Sequence, residues 1–225
     1  MHAPAEKVAF AIKAEKPVTI DGDLAEWEGV QGYVVNEEMN VPAGGIKKVD
    51  KTKQVLHSTF YVMWDEENLY IATKVYDEYL VINIEPTDLG AFYRTDSVEF
   101  YIDPSRAGSD AGIMKLAILP FDTEGNPQAV RHEDANPGKI SDVAPEIKVA
   151  TKRTDYGYDL EFKVPVKYLN LEPAPGMNLG FCYTIHNSNM KDAGLGEYVR
   201  ENIISWNNLP DIWAHPENWG TLTLK

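Results

Sequence analysis

The chain contains a single cysteine, Cys182. No internal disulfide can form, and a cysteine-rich zinc site is excluded. Cys182 sits in the apolar run Gly180-Phe181-Cys182-Tyr183, which reads as a buried, inert thiol. No run of about 18 apolar residues occurs, so no transmembrane helix is expected. Helical periodicity is almost absent. Positive charge is scarce: 21 Lys and Arg stand against 35 Asp and Glu, a formal net charge of −14. That balance argues against nucleic acid, whose phosphates need clustered Lys and Arg, and against anionic membrane surfaces. The acidic excess favours solubility and suits hard cations such as calcium, which take several oxygen ligands. Catalytic signatures are missing as well, with no Gly-x-Ser-x-Gly, His-Glu-x-x-His or phosphate-loop pattern. The histidines (His2, His57, His132, His186 and His215) are scattered without ligand spacing. Met1-His2-Ala3-Pro4-Ala5-Glu6 has neither the basic stretch nor the apolar run of a signal peptide; a mature fragment given a new start methionine would read the same.

What the chain does have is short, alternating, β-branched segments bounded by turn residues. Strands are predicted at 7–13, 17–20, 56–64, 69–76, 97–102, 113–119, 146–151, 157–164, 178–186 and 220–224. The stretch 64–69 reads as a hairpin turn and 165–169 as one helical turn. Long connections are predicted at 28–54, 77–95, 120–145 and 187–212, and loops of that length are usually functional or mobile. No repeat, low-complexity tract or composition break marks a linker. The expected fold is all-β, a single-domain antiparallel β-sandwich over residues 1–225, jelly-roll-like with long loops.

The segment "GAFYRTDSVEFYID" (90–103) raises the functional question. Val98, Phe100 and Ile102 alternate with Ser97, Glu99, Tyr101 and Asp103, so one face suits a core and the other carries acids and a phenol. A glycosidase-like carboxylate pair needs two acids facing one cleft, yet Asp96 points opposite to Glu99 along the strand. Aromatic residues say more. In "IISWNNLPDIWAHPENWGTLTLK", Trp206 and Trp219 flank strands and suit the core, whereas Trp213 sits in a loop rich in Asn, Pro and Asp. Its indole either staples that loop or stands as a platform. A flat ring packs on the C–H face of a pyranose, while charged neighbours such as Glu99, Lys115 and Arg200 can satisfy the hydroxyls.

The ordered set "VTIDGDLAEWEG" (18–29), "MWDEENLYIATKVYDE" (63–78), "RTDSVEFYID" (94–103), "YDLEFKVPVKYL" (158–169), "PGMNLGFCYTIHN" (175–187), "IISWNN" and "ENWGTLTL" resembles family 9 carbohydrate-binding modules and related DOMON-like β-sandwich domains. The resemblance implies a sandwich with structural calcium ions and a ligand clamped between two tryptophans. Sugar-binding members favour the reducing ends of glucans and xylans and are commonly appended to secreted xylanases. The clamp maps onto Tyr93 and Trp213, the ligand-binding glutamate onto Glu99, and an arginine near the site onto Arg200. Lys115 falls where members have an arginine, and Ala117 replaces a polar residue. A tyrosine at 93 keeps the flat ring with less contact area, which implies weaker or altered specificity.

The expected function is therefore a non-catalytic module that recognises xylan- or cellulose-type plant polysaccharide by an aromatic clamp. It would be extracellular or at the cell surface, tethered to other domains, with no nucleic-acid or membrane partner. Calcium is the expected structural cofactor by resemblance, with Asp77 and Asp103 as candidate ligands. The alternative is a haem-binding electron-transfer domain of the related sandwich class, with axial ligands drawn from Met63, Met114, Met190 or His186. A small glycan-active enzyme is the weaker third reading.

Overall fold

The computed structural model describes residues 6–109, 112–133 and 146–225. Among these, twelve strands form: β1 (Val8–Lys13), β2 (Tyr33–Val35), β3 (Leu56–Trp64), β4 (Asn68–Asp77), β5 (Ser97–Asp103), β6 (Met114–Leu119), β7 (Gln128–Glu133), β8 (Lys148–Arg153), β9 (Gly157–Pro165), β10 (Asn178–Asn187), β11 (Asn202–Ser205) and β12 (Gly220–Leu224). The first sheet runs β7-β6-β5-β10-β12-β1, with β11 beside the distal half of β10. The second runs β1-β3-β4-β9-β8, with β2 beside β3. β1 belongs to both: Val8–Ala11 pair with β12, and Ile12–Lys13 pair with β3. Those two pairings are parallel, an exception to the antiparallel plan.

The inner faces close on one large apolar cluster. Phe60, Val62, Trp64 and Ile71 come from the second sheet; Val98, Phe100, Ile102, Phe181 and Leu222 come from the first. Phe100 stacks on Tyr183, with centroids 4.8 Å apart. One polar tie crosses this core. The Tyr183 hydroxyl lies 2.8 Å from Ser58 Oγ and 2.9 Å from Thr73 Oγ1, which are themselves 2.6 Å apart. All three side chains are fully buried, so each hydroxyl finds its partner in another.

Nine of the ten predicted strands coincide with observed ones to within two residues at each end, and the helical turn appears as a 3-10 turn at Val166–Leu169. The hairpin at 64–69 is closed by Asp65, whose Oδ1 accepts from the N–H groups of Glu67 and Asn68. The stretch 146–151 begins later, at Lys148. The strand expected at 17–20 does not form. Val18 and Ile20 are instead laid across the outer face of the second sheet, packing with Leu24, Trp27, Met63, Tyr70 and Ala72. A chain lying on a sheet's face has no ladder to join, since the N–H and C=O groups beneath it are already paired within the sheet. Conversely β2, β7 and β11 arise inside connections expected to lack structure. Residues 134–145 of the predicted 120–145 connection lie outside the described residues.

Glu161 of β9 anchors the face-crossing segment. Its Oε1 accepts from the N–H groups of Asp21 (2.7 Å) and Gly22 (2.8 Å), and its Oε2 from Trp27 Nε1 (3.1 Å). Gly22 holds φ +84°, a left-handed conformation that glycine adopts without strain. The Asp-Gly-x-Leu-x-Glu-Trp motif thus docks on one buried carboxylate. Glu161→Ala leaves three donors without their acceptor and should cost about 3 kcal/mol, read from the urea midpoint at unchanged m-value. A loss below about 1 kcal/mol would mean that the apolar contacts alone hold the segment.

Candidate functional site

β5 is buried along its whole length, on both faces. Val98, Phe100 and Ile102 enter the core between the sheets, and Glu99 and Tyr101 face outward. The outer face is covered at each end by a loop with an aromatic anchor. At one end the 3-10 turn Leu89–Arg94 seats Phe92 with Ile84, Ala117, Leu119 and Val130. Tyr93, the next residue, is 38% exposed at the rim. At the other end Ile212 and Trp219 join Val41, Tyr101, Ile113, Cys182 and Ile203, and Trp219 stacks on Tyr101 at 5.3 Å. Trp213 is half-buried and packs against this second cluster.

Between the clusters runs a buried polar row. Glu99 Oε2 accepts from the Tyr101 hydroxyl at 2.6 Å and lies 2.5 Å from His186 Nε2. On the far side of the imidazole, Nδ1 is 2.9 Å from Arg200 Nη1. A guanidinium can only donate, so Nδ1 must accept, and the ring hydrogen sits on Nε2, donating to Glu99. His186 is therefore neutral, in the Nε2–H form. Arg200 Nη2 donates to the Tyr198 hydroxyl at 2.6 Å, while its buried Nε meets no acceptor among the described residues. Thr184 and Ser205 continue the row, their hydroxyls 2.9 Å apart. Burial, then the charge of Glu99, pushes the Tyr101 hydroxyl well above the usual phenol range and keeps it a donor.

The structure brings Tyr93, Glu99 and Arg200 together, with the Arg200 guanidinium 5.9 Å from the Tyr93 ring centre and that of Arg94 at 5.8 Å. Lys115 lies on the same face, buried, across from Tyr101 on β6. Trp213 is on this face too but at its other end. Cys182, beneath the Trp213 cluster, and His186, beside Phe92, are separated along β10 by roughly 13 Å at about 3.3 Å per residue. Two residues of this row were not expected in the saccharide site: His186, weighed only as a haem ligand, and Tyr198. His186 was legible as one of the outward-facing positions of β10, alternating with the core residues Tyr183 and Ile185. Tyr198, 51% exposed with its ring 6.1 Å from that of Tyr93, lies in a loop whose path carries no periodic signal.

Other candidates are dispersed. Asp103 closes a turn, accepting from Ser105 N, Ser105 Oγ and Gly108 N. Asp77 lies by Asp96, which is directed away from Glu99 as expected and accepts from the N–H groups of Val81 and Ser188. Desolvation pushes the Asp77 carboxyl up to about 7; desolvation and the charge of Asp77 push Asp96 well above the usual range. Met63 sits on the outer face of the second sheet and Met114 in the central core, so neither shares a cluster with His186.

Residues 20–225 match the family model described as "Carbohydrate family 9 binding domain-like". The chain is 27% identical over 207 residues to endo-1,4-beta-xylanase A of Thermotoga neapolitana and 25% identical to that of Thermotoga maritima. In each case 91% of this chain is covered but 17% of the xylanase, so the chain spans about a sixth of their length. Among solved structures, a carbohydrate binding module family 9 from Caldicellulosiruptor kristjanssonii in complex with cellotriose superposes with TM-score 0.66 at 20% identity, covering 97% of this chain and 94% of that one. A carbohydrate binding module family 9 from the same organism in complex with glucose gives 0.66 at 22% identity, covering 97% and 96%. The sandwich, its outer face and the match along nearly all of the chain place this protein in the family 9 carbohydrate-binding domains, as a non-catalytic carbohydrate-binding module.

Proposed function

We propose that the outer face of the first sheet binds the ends of xylan- and cellulose-type glycans, with the reducing end as the recognised terminus, between Tyr93 and Trp213. The observation that carries this reading is the buried row Glu99–His186–Arg200, laid between two clusters that each present an aromatic ring at the rim. Flat rings suit the apolar faces of a pyranose, and the charged groups suit its hydroxyls. Among the described residues Arg200 Nε has no acceptor, and leaving a buried donor unmade costs about 1–3 kcal/mol that a ligand oxygen would recover. At about 0.3 kcal/mol per heavy atom, a disaccharide of about 23 heavy atoms would gain about 7 kcal/mol, a Kd near 10 μM in order of magnitude. The relatives that are xylanases, far longer than this chain, support an accessory module tethered to a larger extracellular or cell-surface protein.

Isothermal titration with xylobiose, cellobiose and glucose tests the proposal. Binding of at least one sugar is expected, with Tyr93→Ala and Trp213→Ala each weakening it tenfold or more, and borohydride-reduced sugars binding more weakly than the parent sugars. Heat of binding unchanged in both variants would dismiss the clamp.

Calcium belongs to the same proposal. Among the described residues no cluster of three or more His, Cys, Asp or Glu side chains gathers to hold a metal. The pair Asp77 and Asp96 nevertheless fits a hard cation: both are buried, both accept only backbone N–H bonds among the described residues, and their charges oppose each other. Asp103 fits less well, since its oxygens already close a turn. These folded carboxyls hold protons more tightly than they would unfolded, so without the metal stability should fall as pH rises through about 7. Added calcium should therefore raise Tm, more at pH 8 than at pH 6, and Asp96→Asn should abolish the difference. A Tm indifferent to calcium and to chelator would rule the ion out.

A further inference from the structure

The geometry points to His186 as a positioning residue of the saccharide site: in its neutral Nε2–H form it locks Glu99 and Arg200 into the orientation that the sugar meets. This rests on the reading that the outer face binds saccharide, and it names what holds and what can release that site. The imidazole is the sole described bridge between the acid and the guanidinium. Its Nε2 hydrogen goes to the same Glu99 oxygen that takes the Tyr101 hydroxyl, and its Nδ1 lone pair takes an Arg200 hydrogen. Phe92 meets the ring at 73° with centroids 6.5 Å apart, and the side chain is 2% exposed, so the ring has little freedom to reorient.

The bridge works in one protonation state. Adding a proton at Nδ1 puts a donor against a donor and a cation against a cation, so Arg200 must leave. Arg200 is also the link to the rim: it donates to Tyr198 and lies 5.3 Å from that ring and 5.9 Å from Tyr93. Losing its acceptor on His186 therefore loosens both rim tyrosines at once. Among the described residues, the charged and titratable groups that face this unit are Glu99 and Tyr101 on β5, Lys115 on β6, Cys182 on β10, Tyr93 with Arg94 beside it, and Arg200 with Tyr198 in the 188–201 segment. Of these types, imidazole is the one whose ordinary charge change falls between pH 5 and 8.

The experiment compares cellobiose titrations at pH 8, 7, 6 and 5 for wild type, His186→Gln and His186→Asn, with Tm recorded for each. Glutamine keeps a donor toward Glu99 and asparagine an acceptor near the Nδ1 position, and neither titrates. Wild-type Kd should rise at least tenfold from pH 8 to pH 5. Both variants should bind more weakly than wild type at pH 8 and show a flat profile, although Asp77 and Asp96 titrate in them as in wild type. Imidazole nitrogen chemical shifts, measured without sugar, should show the Nε2–H tautomer at pH 8. A variant with the wild-type pH slope, or an Nδ1–H tautomer, overturns the inference. No heat from wild type at pH 8 with any of the three sugars sinks the saccharide reading and takes this inference with it; the sugar-free tautomer measurement tells the two failures apart, because it is independent of binding.

Discussion

A strand with no solvent on either side is the constraint from which the rest follows. β5 buries seven consecutive residues. On its inner face that costs nothing unusual, because Val98, Phe100 and Ile102 join a core of aliphatic and aromatic side chains. On its outer face the strand carries Glu99 and Tyr101, and a carboxylate taken from water must be fully hydrogen-bonded or it neutralises. The tyrosine, the histidine and the arginine answer that demand in sequence: phenol to acid, acid to imidazole, imidazole to guanidinium. A chain of this kind polarises along its length and tolerates little rearrangement, since each member depends on the donor or acceptor character of the next. The outer face is consequently a rigid, directional surface, held from β5 and β10 and closed by Arg200 from the segment before β11.

The loops contribute what strands cannot, which is ring area at the rim. Each is fixed by an apolar foot placed beside its rim aromatic: Phe92 beside the exposed Tyr93, and Ile212 beside the half-buried Trp213. Tyr198 is held differently, through its hydroxyl and its contact with Tyr93. The second sheet serves as the rear wall. Its outer face is sealed by residues 14–30, pinned through Glu161, so the Asp-Gly-x-Leu-x-Glu-Trp motif shapes the body of the sandwich and has no part in the outer face of the first sheet.

Alternation made most of the fold legible. In β5, β9 and β10 every second residue is an aliphatic or aromatic side chain, and the two-residue period can be read directly. It failed at Val18 and Ile20, where the same alternation describes an extended segment on a sheet's face, because periodicity reports a buried side and not hydrogen-bonded neighbours. It also failed at β7, β11 and β2. Gln128–Glu133 is largely polar, Asn202–Ser205 has four residues, and Tyr33–Val35 has three, too few to display a period. In the site, Glu99 was readable from its place on β5. His186 occupied the same kind of outward position on β10, but pairing it with Glu99 requires the β5–β10 register, in which Thr184 rather than His186 stands opposite Glu99. The contact is diagonal, and no local pattern encodes it. Tyr198 and Arg200 depend on the route of a loop, which composition does not specify.

The tyrosine at position 93 bears on how such a site can work with less ring area. Two guanidinium groups, from Arg94 and Arg200, lie within 6 Å of its ring centre, in a protein whose net charge is −14. Each cation over an exposed ring is worth about 0.5–1 kcal/mol. Their combined effect is to hold the ring before a ligand arrives, and immobilising a free side chain on binding would otherwise cost about 0.5–1.5 kcal/mol. In the proposed site an indole would gain affinity through area, whereas a phenol fixed by arginines would gain it through order already present. The two routes respond differently to the histidine. An indole wedged by apolar contacts would be indifferent to the protonation of His186, whereas a phenol steadied by Arg200 inherits the state of the imidazole that holds Arg200 in place.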